Sequence, residues 1–425
     1  MRQIIDLHIH SKYSRACSPN LELPKIDLAC QKKGINICAT GDFTHPGWLE
    51  HIKKTLSLTN KGLYHIKEKS SSIAQNKTKF ILSTEISCIY KHKDATRRLH
   101  LVILAPSIEL AEKFNKALEE RNVNLRSDGR PIMGLSAKQV LQILLEIDEN
   151  FLMIPAHVWT PWFSIFGSKS GYDSVEDCFE DLTPYISAFE TGLSSDPAMN
   201  HLWSAIDRYT LVSNSDAHSL DKLGREANVF EFNNENEINY DEIIRIIKEG
   251  DKKKFLYTIE FFPEEGKYHF DGHADCKVCL SPKQTRKEKF ICPECKRKLT
   301  VGVLHRVEDL SDREPEYVNN KKFIPHKYIV PLIEIISFVQ GAGVKSKKVL
   351  AEYERLISKL GNEFDILINE PILNIRQSAL NSNLALAIAN MRSGNIKVYP
   401  GYDGIYGRLD LLPEKNNSKQ SRLLF

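Results

Sequence analysis

No run of apolar residues approaches the ~18 that a membrane-spanning helix needs, and Met1-Arg2-Gln3-Ile4-Ile5-Asp6 has none of the long apolar stretch of a signal peptide. A soluble, cytoplasmic protein is expected. Charge of one sign is also missing: 425 residues carry a net +3, so the overall balance points to no partner and only local charge can. Cysteine is sparse. There are nine, an odd number, four of them in two Cys-x-x-Cys pairs and Cys17, Cys30, Cys38, Cys88 and Cys178 scattered. This argues against a disulfide framework and for a reducing compartment with one metal site. The length suits two or three domains, one with a full α/β core.

What is present begins at the amino terminus. Ile4, Ile5, Leu7 and Ile9 make Gln3 to Ile9 a buried strand. His8 and His10, two apart, share a face at its carboxyl end, where α/β folds keep their chemistry. Leu23 to Lys33 has helical spacing and stops at Gly34. Ile35 to Thr40 then runs into Asp42 and His45, Phe80 to Thr84 ends on Glu85, and Leu99 to Leu104 carries His100. A helix from Ser136 to Glu146 precedes Phe151 to His157; Ala188-Phe189-Glu190 and Leu211-Val212-Ser213 follow, the latter leading to Asp216 and His218. Strand and helix alternate about seven times, which predicts a β/α barrel with its site at the strand ends. His8, His10, Asp42, His45, Glu85, His100, His157, Asp216 and His218 are too many ligands for one ion. Two or three divalent cations are expected, zinc, manganese or magnesium, and the imidazoles suit the first two, or iron, better than the last. A carboxylate shared by two cations about 3.5–4 Å apart serves phosphoester hydrolysis.

Past Gly250 the pattern changes. Cys276, Cys279, Cys292 and Cys295 have the spacing of a four-cysteine zinc ribbon. Between Lys277 and Arg306 nine Lys or Arg, among them Lys283, Arg286 and Lys298, stand against two Glu, a local footprint for a polyanion. Val330 to Val339 reads as a helix, and the turn after it carries Lys345 and Lys347, placed to seat a phosphate on the next helix. Residues 399–408 hold three Tyr among three Gly, Tyr402 and Tyr406 included. The chain ends with Gln420, Leu423 and Phe425 in a spacing similar to a sliding-clamp-binding peptide. Four segments are expected: a barrel (1–250), a linker and ribbon (251–310), a helical or mixed α/β carboxy-terminal region that binds DNA (311–412) and a tail (413–425).

Taken together, Asp6-Leu7-His8-Ile9-His10-Ser11, Gly41-Asp42, a strand ending on Glu85, isolated His and Asp216-Ala217-His218 resemble the PHP (polymerase and histidinol phosphatase) superfamily. Gly41 to Pro46, His157 to Phe163, Glu190 to Pro197 and Ser213 to His218 are similar to its endonuclease Q branch, over nearly the whole chain. The resemblance implies a distorted seven-stranded β/α barrel that nicks DNA on the 5′ side of deaminated bases (uracil, hypoxanthine, xanthine) or abasic sites, leaving a 3′-hydroxyl and a 5′-phosphate. It implies one cation on His8, His10, Glu85 and Asp216, the catalytic set, and a second on Glu85, His100 and His157. A third would use Asp42 or His45 with His218; Ala16-Cys17 stands where many relatives have another His. Trp159, Trp162, Tyr402 and Tyr406 are candidates for stacking on an extruded base. Two other readings stay open: a small-molecule phosphatase of the histidinol phosphatase kind, which leaves the basic ribbon unexplained, and a non-catalytic DNA-binding module.

Overall fold

Strand β1 (Arg2–Asp6) lies inside the main sheet, with Ile5 and the residues that follow it buried. In this computed structural model, which describes residues 1–67, 78–319 and 322–413, β1 pairs in parallel with β2 (Ile37–Ala39), and β2 with β3 (Lys79–His92). β3 turns back into β4 (Ala95–Ala105) through Lys93 and Asp94, at φ 49° and 60°. Two-residue hairpin loops of this kind need both central residues in the left-handed region. β4 pairs antiparallel with β5 (Leu152–Pro155). β6 (Ala188–Glu190) and β7 (Thr210–Val212) form a parallel pair. On the other flank of β1, β8 (Ala227–Glu231) and β9 (Phe255–Glu260) continue antiparallel, and β10 (His326–Tyr328) is parallel to β9.

The β6–β7 pair is tied to the rest by hydrogen bonds that include Val158 N–H to Glu190 O (3.1 Å) on one side and Ser213 N–H to Asn228 Oδ1 (3.0 Å) on the other. Ile5, Ile37, Ile81, Val102, Ile154, Ala188, Val212 and Phe230 meet in one apolar interior, packed against Ile243, Ile246 and Ile247 of the helix Tyr240–Glu249. The expected regular alternation is broken at two places. Phe80 to Thr84 and Leu99 to Leu104 belong to one antiparallel hairpin, and β8 runs against β1. A parallel pair needs a crossover of a dozen or more residues, and two turn residues cannot supply one. Glu85 therefore sits mid-strand.

Outside the barrel, helix α1 (Leu23–Lys33) buries Leu23, Ile26 and Cys30 and ends at Gly34, φ 88°. The helix Ala137–Ile147 opens with a Ser136/Gln139 capping box. The cysteine-rich region holds a short hairpin, Asp271–His273 with Val278–Leu280, and helix α2 (Val303–Leu310). Helices α3 (Leu332–Gln340), α4 (Lys347–Leu360) and α5 (Ser382–Ser393) make most of the carboxy-terminal region, and Phe364 runs into a π-helical turn over Asp365–Asn369. The last described elements, Lys397–Tyr399 and Arg408–Asp410, pair with each other and fold back on the cysteine-rich region: Phe270 N–H donates to Gly401 O (2.9 Å) and Gly401 N–H to Glu264 O (2.7 Å). Among the described residues no helix is long and apolar enough to cross a membrane.

Candidate metal centre

His8 and His10 follow β1 in a segment that lies along residues 214–217: Leu7 N–H donates to Asn214 Oδ1 (2.9 Å) and His10 N–H to Ala217 O (3.0 Å). This brings Asp216 to the two imidazoles. Glu85 reaches the same place from the middle of β3. His10 Nε2 lies 3.1 Å from Asp216 Oδ1 and 3.2 Å from Glu85 Oε2; His8 Nε2 is 3.7 Å from both carboxylates. That nitrogen is buried and has no hydrogen-bond partner. A buried orphan ring nitrogen aimed at two carboxylates fits a ligand waiting for a cation. Across Glu85, its Oε1 lies 2.8 Å from His100 Nδ1 and 3.2 Å from His157 Nε2. The donor atoms thus form two groups, His8–His10–Glu85–Asp216 and Glu85–His100–His157, with Glu85 in both.

Burial alone would lower His8 and His10, yet Glu190 and Glu85 around the first, and Asp216 and Asp42 around the second, raise both well above the ordinary imidazole value. Burial lowers His100 to about 4 despite Glu85. Glu85 itself, which burial would raise, is held well below the carboxylate range by His100, Arg130 and His8. In the second group His157, like His8 and His10, is raised by the surrounding carboxylates against burial, and only His100 is lowered. His157, Asp42 and Asp216 sit at φ 31°, 48° and 46°. Strain of this kind at three neighbouring residues is characteristic of functional sites.

Three expected ligands are not in either group. Asp42 is committed elsewhere: Oδ1 meets His10 Nδ1 (3.1 Å), and Oδ2 accepts from Ser11 N–H (2.7 Å), Ser11 Oγ (2.6 Å) and Ser14 Oγ (2.8 Å). Oδ2 is taken up by three donors, and through Oδ1 Asp42 orients His10. His45 caps the helix Pro46–Thr55, accepting from Gly47 N–H (3.2 Å), and stacks on Tyr13 with ring centroids 4.1 Å apart. His218 turns Nδ1 to the Asp216 carbonyl (2.9 Å). Burial pushes the Cys17 thiol up to about 12, which keeps it protonated and a poor ligand.

Two residues at the centre have no role in the sequence reading. Glu190 is fully buried and holds His8 Nδ1 with both oxygens (3.0 and 3.1 Å), His157 N–H (2.9 Å) and Asn214 Nδ2 (2.9 Å). A carboxylate behind a ligating imidazole fixes its tautomer and direction; the end of a strand in a His-rich barrel was the available signal. Arg130 donates Nη1 to Glu85 Oε2 at 2.9 Å, from a loop with no pattern to announce it.

The loop after His157 divides its aromatics. Trp159 is 1% exposed and donates Nε1–H to Asn200 Oδ1 (2.8 Å), so it is a core residue and cannot stack on a base. Trp162 is 48% exposed with the Arg98 guanidinium 4.9 Å above its ring. In the cysteine-rich region the donor group is His273, Cys276, Cys292 and Cys295, with His273 in the place expected for Cys279. Val278 is opposite His273 and Cys279 opposite Gly272, and alternation along a strand turns Cys279 to the other face, toward Pro400 O at 4.0 Å. Arg297 lowers Cys295 to about 6, a thiolate at neutral pH. Arg286 is spent on Glu308 (2.7 Å) and Asp309 (3.0 Å), whereas Lys283, Lys298, Lys345 and Lys347 are exposed. Tyr402 packs on Gly272; Tyr406 is 70% exposed beside Lys267 (4.5 Å). Gln420, Leu423 and Phe425 lie outside the described residues.

Residues 331–395 match the family model described as the MJ0043 C-terminal domain. The MJ0043 protein of Methanocaldococcus jannaschii is 33% identical over 284 residues, 65% of this chain, and the match spans about a third (34%) of that protein's length. YqxK of Bacillus subtilis is 28% identical over 95% of this chain and 98% of its own. Among solved structures, the lesion-specific endonuclease of Pyrococcus furiosus superposes with a TM-score of 0.83 at 30% identity, covering 96% of this chain and 95% of that one. A complex of endonuclease Q with a 27-mer duplex carrying an abasic lesion at its active site gives 0.82 and 31%, with 97% of each chain covered. With identity at this level over almost the full length of both structures, and two His/carboxylate groups joined by Glu85, the chain belongs to the endonuclease Q branch of the PHP superfamily.

Proposed function

We propose that this protein is a metal-dependent DNA repair endonuclease that cuts the phosphodiester 5′ to deaminated bases or abasic sites, leaving a 3′-hydroxyl and a 5′-phosphate. The observation that carries the reading is Glu85, placed in two donor groups at once in a chain that superposes on an endonuclease Q holding a lesion duplex at its active site. Divalent cations on these residues, zinc, manganese or magnesium, would supply an activated water and neutralise charge on the phosphoryl oxygens. His8, His10 and Asp216 would hold one, His100 and His157 the other, with Glu85 common to both. Glu190 and Asp42 hold His8 and His10 in the direction such binding requires.

The same reading assigns residues 1–250 to a distorted (β/α)7 catalytic barrel and takes the His273–Cys276–Cys292–Cys295 group as a structural zinc site. Trp162, Tyr406, Lys283, Lys298, Lys345 and Lys347 are the exposed side chains best suited to DNA, and the tail peptide ending at Phe425 would dock a sliding clamp. Extruding a mispaired uracil or hypoxanthine costs less than extruding a paired base, which supplies part of the selectivity. The test is a digest with Mn²⁺ or Mg²⁺ of four matched end-labelled duplexes carrying dU, dI, an abasic site or no lesion. Cleavage beside the lesions and not in the control is expected. Equal cutting of the undamaged duplex would end the lesion reading, and full activity of His8→Ala would end the metal assignment.

A further inference from the structure

Glu85 is asked to serve more positive groups than it has room for. Its Oε1 faces His100 and His157; its Oε2 faces His10, His8 and the Arg130 guanidinium at 2.9 Å. Arg130 is placed there by construction. Its own N–H donates to Asp128 Oδ1 (3.1 Å), the next carbonyl, Pro131 O, accepts from Ser87 N–H of β3 (3.0 Å), and Gly129 N–H donates to Tyr13 O (3.0 Å). The loop can pass so near the centre because Gly129 has no side chain: a Cβ there would stand 2.3 Å from Asp42 Oδ2. A quarter of the Arg130 side chain remains exposed, so one side of the guanidinium touches Glu85 and the other meets solvent.

A guanidinium cannot release its charge by losing a proton. A divalent cation ligated by Glu85 Oε2 would compete with Arg130 for the same lone pairs and repel it across a few ångströms. We propose that Arg130 is a counter-ion of Glu85 that yields this oxygen to the cation and then turns its donors to a non-bridging oxygen of the scissile phosphodiester. The planar fork of N–H groups suits phosphate oxygens, and the exposed side is where a backbone can approach. This inference rests on the phosphodiesterase reading of the site.

The experiment compares the full chain with Arg130→Met and Arg130→Gln, two variants of similar length without the charge. Free Mn²⁺ is titrated by electron paramagnetic resonance in the absence of DNA, and single-turnover cleavage of a dU duplex is followed separately. Mn²⁺ should bind the variants roughly 3- to 10-fold more tightly than the parent, while cleavage at saturating Mn²⁺ falls about 100-fold. Unchanged or weaker Mn²⁺ binding in whichever variant folds would show that Arg130 merely braces Glu85, and undiminished cleavage would remove it from the phosphate. Because the titration contains no DNA, the competition is decided even if the parent protein cuts none of the duplexes, an outcome that would count against the nuclease reading alone.

Discussion

At the scale of single residues, the identity of a ligand depends on which face of a strand presents it. The spacing of four cysteines marks a candidate metal site, and the register of a three-residue hairpin puts His273 rather than Cys279 beside Cys276, Cys292 and Cys295. Cys279→Ser is expected to keep bound zinc and His273→Ala to lose it, as read by zinc content after gel filtration; the reverse result would restore the four-cysteine site. Glu260 gives a second residue-scale expectation. Burial pushes its carboxyl from 4.5 up to about 8, with Ser213 Oγ donating to it and Glu226 close by and also raised. The folded state therefore holds a proton that the unfolded chain loses, and the stability this contributes is complete below about pH 4.5 and lost as pH rises through about 8. Glu260→Gln keeps the acceptor for Ser213 without the titration. Urea midpoints of the parent should fall more steeply across that window than those of the variant, which keeps the raised Glu226 and Glu265, leaving the variant the more stable protein on the alkaline side.

At the scale of elements, helix α2 is clasped to the loop that bears His157 and Trp162. Arg306 donates Nε–H to Phe166 O (2.9 Å) and Nη2 to Tyr172 O (3.1 Å) and pairs with Asp173. The cysteine-rich region and the loop after His157 are thus joined by three acceptors on one guanidinium. Arg306→Ala should leave both metal contents intact, speed amide exchange in residues 160–173 and slow cleavage by roughly 10- to 100-fold; protection unchanged in that loop would sink the idea. This is also where the sequence was hardest to read. The apolar runs ending in polar ligands were visible strand by strand, and the expected barrel ligands other than His45 lie within a few ångströms of one another or of a neighbour in the set. The hairpin of β3 and β4 was not visible, because Ser87 to Arg98 carries no glycine or proline to mark a turn and Lys93-Asp94 is an unusual pair for left-handed backbone. Arg130 and Glu190 act through contacts from distant parts of the chain, which no local pattern records.

At the scale of the whole molecule, the barrel and the carboxy-terminal helices meet at the end of α1. Lys33 pairs with the buried Glu363 (3.4 Å), which also accepts from Leu332 N–H (2.9 Å) and Tyr353 Oη (2.8 Å). Next to it Gly34, at φ 88°, has Asn362 where a side chain would be: a Cβ would lie 2.2 Å from Asn362 Oδ1. Gly34→Ala is expected to cost about 1–2 kcal/mol from the backbone conformation and to push Asn362 off its hydrogen bond to Asp365. Denaturant unfolding should show a lower midpoint, with the carboxy-terminal helices released before the barrel; an unchanged midpoint would mean that the junction yields freely.

The strands Lys397–Tyr399 and Arg408–Asp410 close onto residues 264–272, from which they are separated by the helices α2 to α5. A ribosome must therefore deliver the residues up to Asp410 before this region acquires these neighbours, whereas β1 to β9 and both His/carboxylate donor groups are made by residue 260. On the nuclease reading, the candidate metal centre can take shape on the nascent polypeptide before the surface proposed to grip a duplex is finished.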